Sequence, residues 1–68
     1  MYYNMEIGDT VTYVDDWKGE RPWYLYDISD NGLCTIVIMR DGKITDDRGR
    51  LNANIVNLDI SKIRKMKI

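Results

Sequence analysis

The side chains able to do covalent or acid–base chemistry are few in this chain of 68 residues. Cys34 is the single cysteine, and there is no histidine, so the commonest general base and zinc ligand is missing. A nucleophile needs a base beside it, and the sequence places no such group near Cys34. Because Cys34 alternates with Ile36 and Ile38, we predict a small, buried strand residue.

Two pairs of adjacent aspartates, Asp15–Asp16 and Asp46–Asp47, are the remaining candidates for hydrolytic chemistry. Adjacent residues in a strand point to opposite faces of the sheet, so such a pair does not converge on one substrate atom. In a loop both carboxylates are usually solvated. The pairs are therefore predicted to be structural, and the sequence predicts no enzyme, no cofactor and no metal site.

Aromatic residues crowd a polar loop and the strand that follows it. On that strand Tyr24 and Tyr26 share one face, and Trp23 lies on the other with Leu25. Such residues can build the core of a chain without phenylalanine, stack nucleic-acid bases or anchor a protein interface. The candidate protein-binding residues, with Trp17 as the hot-spot candidate, are Asp15, Asp16, Trp17, Glu20, Trp23, Tyr24 and Tyr26.

Basic residues form two clusters in the second half of the chain. The C-terminal cluster is predicted to protect an edge strand from pairing with other sheets; it contains Lys62, Arg64, Lys65 and Lys67. The other cluster could contact phosphates, although three aspartates interrupt it. The candidate nucleic-acid-binding residues are Arg40, Lys43, Arg48 and Arg50.

The formal net charge of −1 argues against a general polyanion binder, but the charges are polarised along the chain. Residues 1–34 carry seven acids and two bases, and residues 35–68 carry eight bases and four acids. This polarity makes self-association a prediction to test. The N-terminus lacks signal-peptide features and residues 35–39 form the longest apolar run, so a cytoplasmic location and no membrane partner are expected.

The elements predicted to position these side chains are short strands. Turn residues at Asn31–Gly32 and Asp41–Gly42 predict two hairpins. Strands are predicted over 10–14, 23–28, 33–39, 43–45 and 55–58, followed by a 3₁₀ turn near residues 59–63 and a last strand over 64–68. Residues 1–4 are predicted to be a loose extension of a single domain spanning 1–68.

The pattern of this chain resembles that of SH3-like barrels of the KOW and Tudor type. The resemblance rests on the opening Ile7-Gly8-Asp9-Thr10-Val11 and on the closing Ile55-Val56-x-Leu58-x-x-Ser61-x-Ile63. It implies an all-β fold, a single small SH3-like barrel of five to six short antiparallel strands with a 3₁₀ turn before the last strand. Members bind peptides, proteins or nucleic acids.

A second similarity is misleading. Tyr24-Leu25-Tyr26-Asp27 looks like the aromatic motif of SH3 domains that bind proline-rich peptides. In those domains the motif precedes the acidic loop and a tryptophan pair follows. Here the acidic loop comes first and no tryptophan follows Trp23, so proline-rich peptide binding is not predicted.

Together these features predict a non-enzymatic protein-interaction module that binds through the Asp15–Arg21 loop and the nearby aromatics. A small size and a preference for residues with AT-rich codons favour a phage-type protein that binds and modulates or inhibits a host protein. The alternative is a nucleic-acid-binding module that uses the first basic cluster.

Overall fold

The computed structural model describes residues 5–16 and 21–66. In these ranges the strands are β1 (Thr10–Tyr13), β2 (Trp23–Ile28), β3 (Leu33–Ile38), β4 (Asn54–Asp59) and β5 (Ile63–Lys65), with a 3₁₀ turn at Ile60–Lys62. All neighbours pair antiparallel in one sheet of order β4-β3-β2-β1-β5. The predicted all-β class and the 3₁₀ turn before the last strand are confirmed.

The hairpins form where the turn residues predict them. Between β2 and β3 the turn closes through Ser29 N–H donating to Leu33 O at 2.8 Å, with Gly32 at φ 82°. The second turn has positive φ at both Asp41 and Gly42, which makes it a type I′ turn. Such turns suit hairpins because their twist matches that of the flanking strands.

The segment predicted as a strand over 43–45 forms only isolated bridges. Arg40 and Lys43 exchange two backbone hydrogen bonds of 2.9 Å, and Thr45 is bridged to Leu51. The reason is the side chain of Asp46, which accepts hydrogen bonds from the Arg48 and Arg50 amides, both at 2.9 Å. These bonds turn the chain before a regular ladder can extend.

The main core cluster lies on one face of the sheet, and Val37 on the other face of β3 is fully buried as well. In β2 Trp23 and Leu25 are buried, and in β3 Cys34, Ile36 and Ile38 are buried. The core is completed by Val11, Leu58, Ile60 and Ile63. The 3₁₀ turn therefore contributes to the core as well as reversing the chain.

Two β-bulges lie side by side around Thr35 in the middle of β3. On one side Tyr26 and Asp27 of β2 together oppose Thr35, and on the other side Val56 and Asn57 of β4 do so. Asn57 has a φ of 54°, a conformation that asparagine tolerates better than most residues. A bulge increases local twist and resets which residues face the core.

Asp59 caps the 3₁₀ turn. Its carboxylate accepts a hydrogen bond from Ser61 N–H at 3.0 Å. The pKa of Asp59 is lowered by the hydrogen bonds from the backbone and side chain of Ser61, and further by the charge of Lys62. The ionised carboxylate thus stabilises the last turn before β5.

The substitution Asp59→Asn should lower stability in a pH-dependent manner. A carboxyl whose pKa is lower in the folded state stabilises the fold above its unfolded pKa, about 4 for aspartate. That contribution disappears as pH falls through the lower, folded-state pKa. The difference in unfolding free energy between wild type and Asp59→Asn should be largest near neutral pH and should shrink below about pH 4. Urea titrations across this range measure it, and a difference independent of pH would contradict the role of the charge.

Candidate functional site

The carboxylate of Asp16 organises the described part of the Asp15–Arg21 loop. Its side chain is only 3% exposed. It accepts hydrogen bonds from Arg21 Nε at 3.0 and 3.1 Å and from the indole Nε1 of Trp23 at 3.2 Å, and it also contacts the terminal guanidinium nitrogen of Arg21. A buried charge is expensive unless it is paired and hydrogen-bonded, and Asp16 meets both conditions. We call this group the Asp16 clamp: Asp16, Arg21 and Trp23.

Aromatic contacts extend the clamp into the core. Arg21 Cζ lies 5.9 Å from the centre of a Trp23 ring, and Tyr13 meets Trp23 edge-on with ring centroids 6.1 Å apart. The first distance suits a cation–π contact, and the edge-on arrangement suits an aromatic pair. The hydrogen bond from Arg21 to Asp16 raises the pKa of the guanidinium, so Arg21 stays charged. Asp16 and Arg21 therefore contact Trp23, the most buried aromatic residue among those that the structure describes.

Backbone contacts hold both ends of the same loop. Asp16 N–H donates to Tyr13 O at 3.1 Å, and Pro22 O accepts from Met39 N–H at 3.2 Å. Asp15 forms an exposed ion pair with Lys62 at 3.2 Å. The described residues on either side of the loop are therefore tied to the rest of the fold.

The predicted protein-binding residues fall into three groups. Asp15 and Asp16 lie at the start of the loop, while Trp17 and Glu20 lie outside the described residues. Trp23 is 5% exposed and packs in the core, so its ring offers little surface to a partner.

Tyr24 and Tyr26 form the third group, on the opposite side of β2. Their rings contact each other with centroids 6.5 Å apart, which agrees with the predicted shared face. Tyr24 is half-buried and Tyr26 is 47% exposed. Since the face of β2 that carries Trp23 faces the core, these tyrosines are separated from the Asp16 clamp by the sheet itself.

The first basic cluster surrounds a shallow cleft of about 230 Å³ beside the second hairpin. Arg40 and Lys43 line it, and within the described residues neither forms an ion pair. Arg50 pairs with Asp46 at 3.5 Å. Arg48 is exposed. The remaining lining residues are Asp41, Thr45, Asp46, Asp47 and Asn52, so acids alternate with bases and no aromatic ring is present for stacking.

Cys34 is buried, as predicted. Burial and the nearby charge of Asp59 raise the pKa of its thiol, which disfavours the reactive thiolate. Among the described residues, no three side chains of Cys, Asp or Glu come together in a group able to hold a metal ion.

Comparison of this chain with protein-family models, curated proteins and solved structures gave no match. In the part of the chain that the structure describes, no helix is long and apolar enough to cross a membrane. Assignment of function therefore depends on the geometry of the chain itself.

Two features of the site were not predicted from the sequence. The sequence predicts a solvated loop acid at Asp16, yet its side chain is nearly buried and joins Arg21 to Trp23. The spacing Asp-x₄-Arg-x-Trp across a short loop is the only signal that could have indicated this. The side-by-side bulges had no signal in the local sequence, because they depend on how three strands pair.

Proposed function

We propose that this chain is a non-enzymatic protein-interaction module whose binding element is the Asp15–Arg21 loop. The observation that carries the proposal is the Asp16 clamp, which joins Asp16 to Arg21 and to the core residue Trp23. Joining the two ends of a loop before binding reduces the entropy lost on association. A polar loop needs no ion pair to a nearly buried carboxylate merely to connect two strands.

The chemistry of the loop also favours a protein partner. It combines a tryptophan with acids and bases in residues 15–21, and Trp and Arg are enriched among residues that dominate interface energies. Val14, directly before the loop, is 45% exposed and extends this surface with an apolar side chain. The partner expected is a protein with a pocket for an aromatic side chain and a rim of mixed charge.

The wider setting of this proposal comes from the sequence. A small phage-type protein that acts in the cytoplasm and binds, modulates or inhibits a host protein fits the size and composition of the chain. The resemblance to SH3-like barrels supports a binding role, because such domains bind through their loops.

The substitution Trp17→Ala should weaken partner capture by roughly 30-fold, the loss typical of a hot-spot aromatic residue. The measurement is affinity capture from host lysate with quantitative mass spectrometry, followed by affinity measurement with the purified partner. Ile7→Ala is the matched control, because Ile7 is 58% exposed but lies outside the loop. Thermal unfolding should show both variants folded, and equal capture by Trp17→Ala and wild type would overturn the proposal.

Titration of labelled protein with mixed-sequence DNA and RNA oligonucleotides separates this proposal from the nucleic-acid alternative. Amide shifts centred on residues 40–50 that fade as salt rises would favour phosphate contacts by Arg40, Lys43, Arg48 and Arg50. Unchanged spectra at low salt would leave the protein-binding proposal standing. The three aspartates that line the cleft weaken the positive field there, so we expect little change.

A further inference from the structure

The hairpin between β2 and β3 places an asparagine directly before a glycine at an exposed tip. Asn31 is exposed, and a Cβ atom built on Gly32 would meet no heavy atom within 4 Å. Attack by the main-chain nitrogen of Gly32 on the side-chain amide of Asn31 closes a succinimide ring, and a glycine offers no side chain to hinder it. Asparagine is one of the thermally labile residues of proteins.

The attacking nitrogen is weakly held in the structure. Gly32 N–H donates to Ser29 O at 3.3 Å, beyond the usual range of about 2.7–3.2 Å. The Ser29 hydroxyl shares its proton between the amide oxygen of Asn31 and Leu33 O, the latter at 3.1 Å. Donation to the amide oxygen draws electron density from Cγ of Asn31, so both contacts favour ring closure.

The other asparagines that the structure describes lack these features. Asn52 is half-buried, and its side-chain nitrogen donates to two backbone carbonyls, both at 3.1 Å. Asn54 and Asn57 lie in β4, and each precedes a residue with a branched side chain that crowds the following nitrogen. Asn31 is therefore the most susceptible of the four.

We propose that Asn31 is a self-modification site, at which the folded protein converts asparagine into aspartate and isoaspartate. The nitrogen of Gly32 loses its proton to solvent base and bonds to Cγ of Asn31, and ammonia leaves with a proton taken from water. Water then adds to one carbonyl of the succinimide, and the bond from that carbonyl to nitrogen breaks. Opening at the side-chain carbonyl gives aspartate, and opening at the main-chain carbonyl gives isoaspartate.

Isoaspartate would change the hairpin, because the main chain then runs through the former side chain and gains one carbon atom. The turn closes through Ser29 N–H donating to Leu33 O at 2.8 Å, and Gly32 O accepts from Ile60 N–H at 3.0 Å. An extra main-chain atom between residues 31 and 32 displaces the partners of both bonds. Since Ile60 is 4% exposed and belongs to the core, the change extends from the hairpin tip to the 3₁₀ turn.

Incubation in mildly alkaline buffer followed by peptide mapping tests the proposal. The peptide that contains Asn31 should gain the mass difference between an amide and an acid, at a rate within about fivefold of that in the urea-unfolded chain, because opening a loop tip costs little free energy. A folded protein that keeps its mass while the unfolded chain deamidates would overturn the proposal. Isomerisation at Asp41–Gly42 changes no mass, so it cannot imitate the result.

Asn31→Ser is the matched control, because serine suits turns but has no amide to lose. This variant should keep its mass over the same incubation, and an equal gain would overturn the assignment to Asn31. The isoaspartate form, separated by chromatography, should unfold at a lower urea concentration than Asn31→Asp, which carries the same charge on a normal backbone. Equal unfolding midpoints would contradict the effect on the hairpin.

Discussion

Replacing Leu25 by alanine is expected to leave a large fraction of the protein unfolded at room temperature. Leu25 is fully buried in β2, the central strand of the sheet. Removing a buried leucine side chain costs about 2–5 kcal/mol. A domain of 68 residues has a total stability of roughly 3–10 kcal/mol, so the substitution removes much or all of it.

Urea unfolding followed by circular dichroism measures this loss. Val56→Ala is the control, because Val56 is aliphatic and in a strand but 59% exposed, and it should change stability by less than about 0.5 kcal/mol. A Leu25→Ala variant within about 1 kcal/mol of wild type would mean that the core collapses around the missing side chain. The comparison separates burial from strand propensity, since both substitutions replace a strand former with alanine.

Much of this core was predictable because its signals are local. In β3 the alternation of Cys34, Ile36 and Ile38 predicts one buried face, and the structure buries all three. Period-2 alternation identifies a face without any knowledge of the neighbouring strands. Turn chemistry is equally local, which is why Asn31–Gly32 and Asp41–Gly42 indicate hairpins at the right positions.

The bulges were not predictable, because they depend on contacts between strands and not on local signals. Alternation in β2 predicts that Ile28 shares the outer face with Tyr24 and Tyr26, but in the structure Ile28 packs against the core. The pairing with Thr35 inserts an extra residue at Tyr26–Asp27. A matching extra residue at Val56–Asn57 depends on the same central strand. Because both bulges depend on how three strands pair, no single segment of the sequence predicts them.

The role of Asp16 has a similar explanation. Two adjacent aspartates look alike in the sequence, yet Asp15 is 55% exposed and Asp16 is 3% exposed. The difference arises because the turn after β1 points one carboxylate at Lys62 and the other at the Trp23 indole. Which aspartate becomes buried thus depends on tertiary contacts that the two-residue sequence does not show.

Replacing Asp16 by alanine should destabilise the fold by about 1–3 kcal/mol, because the buried indole N–H of Trp23 loses its acceptor. The same variant should lose partner capture, since the ends of residues 17–20 are no longer joined through Arg21. Asp16→Asn retains an amide oxygen for the indole but removes the charge that pairs with Arg21. It should therefore keep more stability than Asp16→Ala while still weakening capture.

Asp15→Asn provides the matched control for the stability measurement. It breaks an ion pair whose side chains are 47% and 55% exposed, and such pairs contribute less than about 1 kcal/mol. Urea unfolding, tryptophan fluorescence and capture should be measured on all three variants. If Asp16→Asn captured the partner as strongly as wild type, the ion pair would not position the loop. In that case recognition would depend on the side chains of the loop without the clamp.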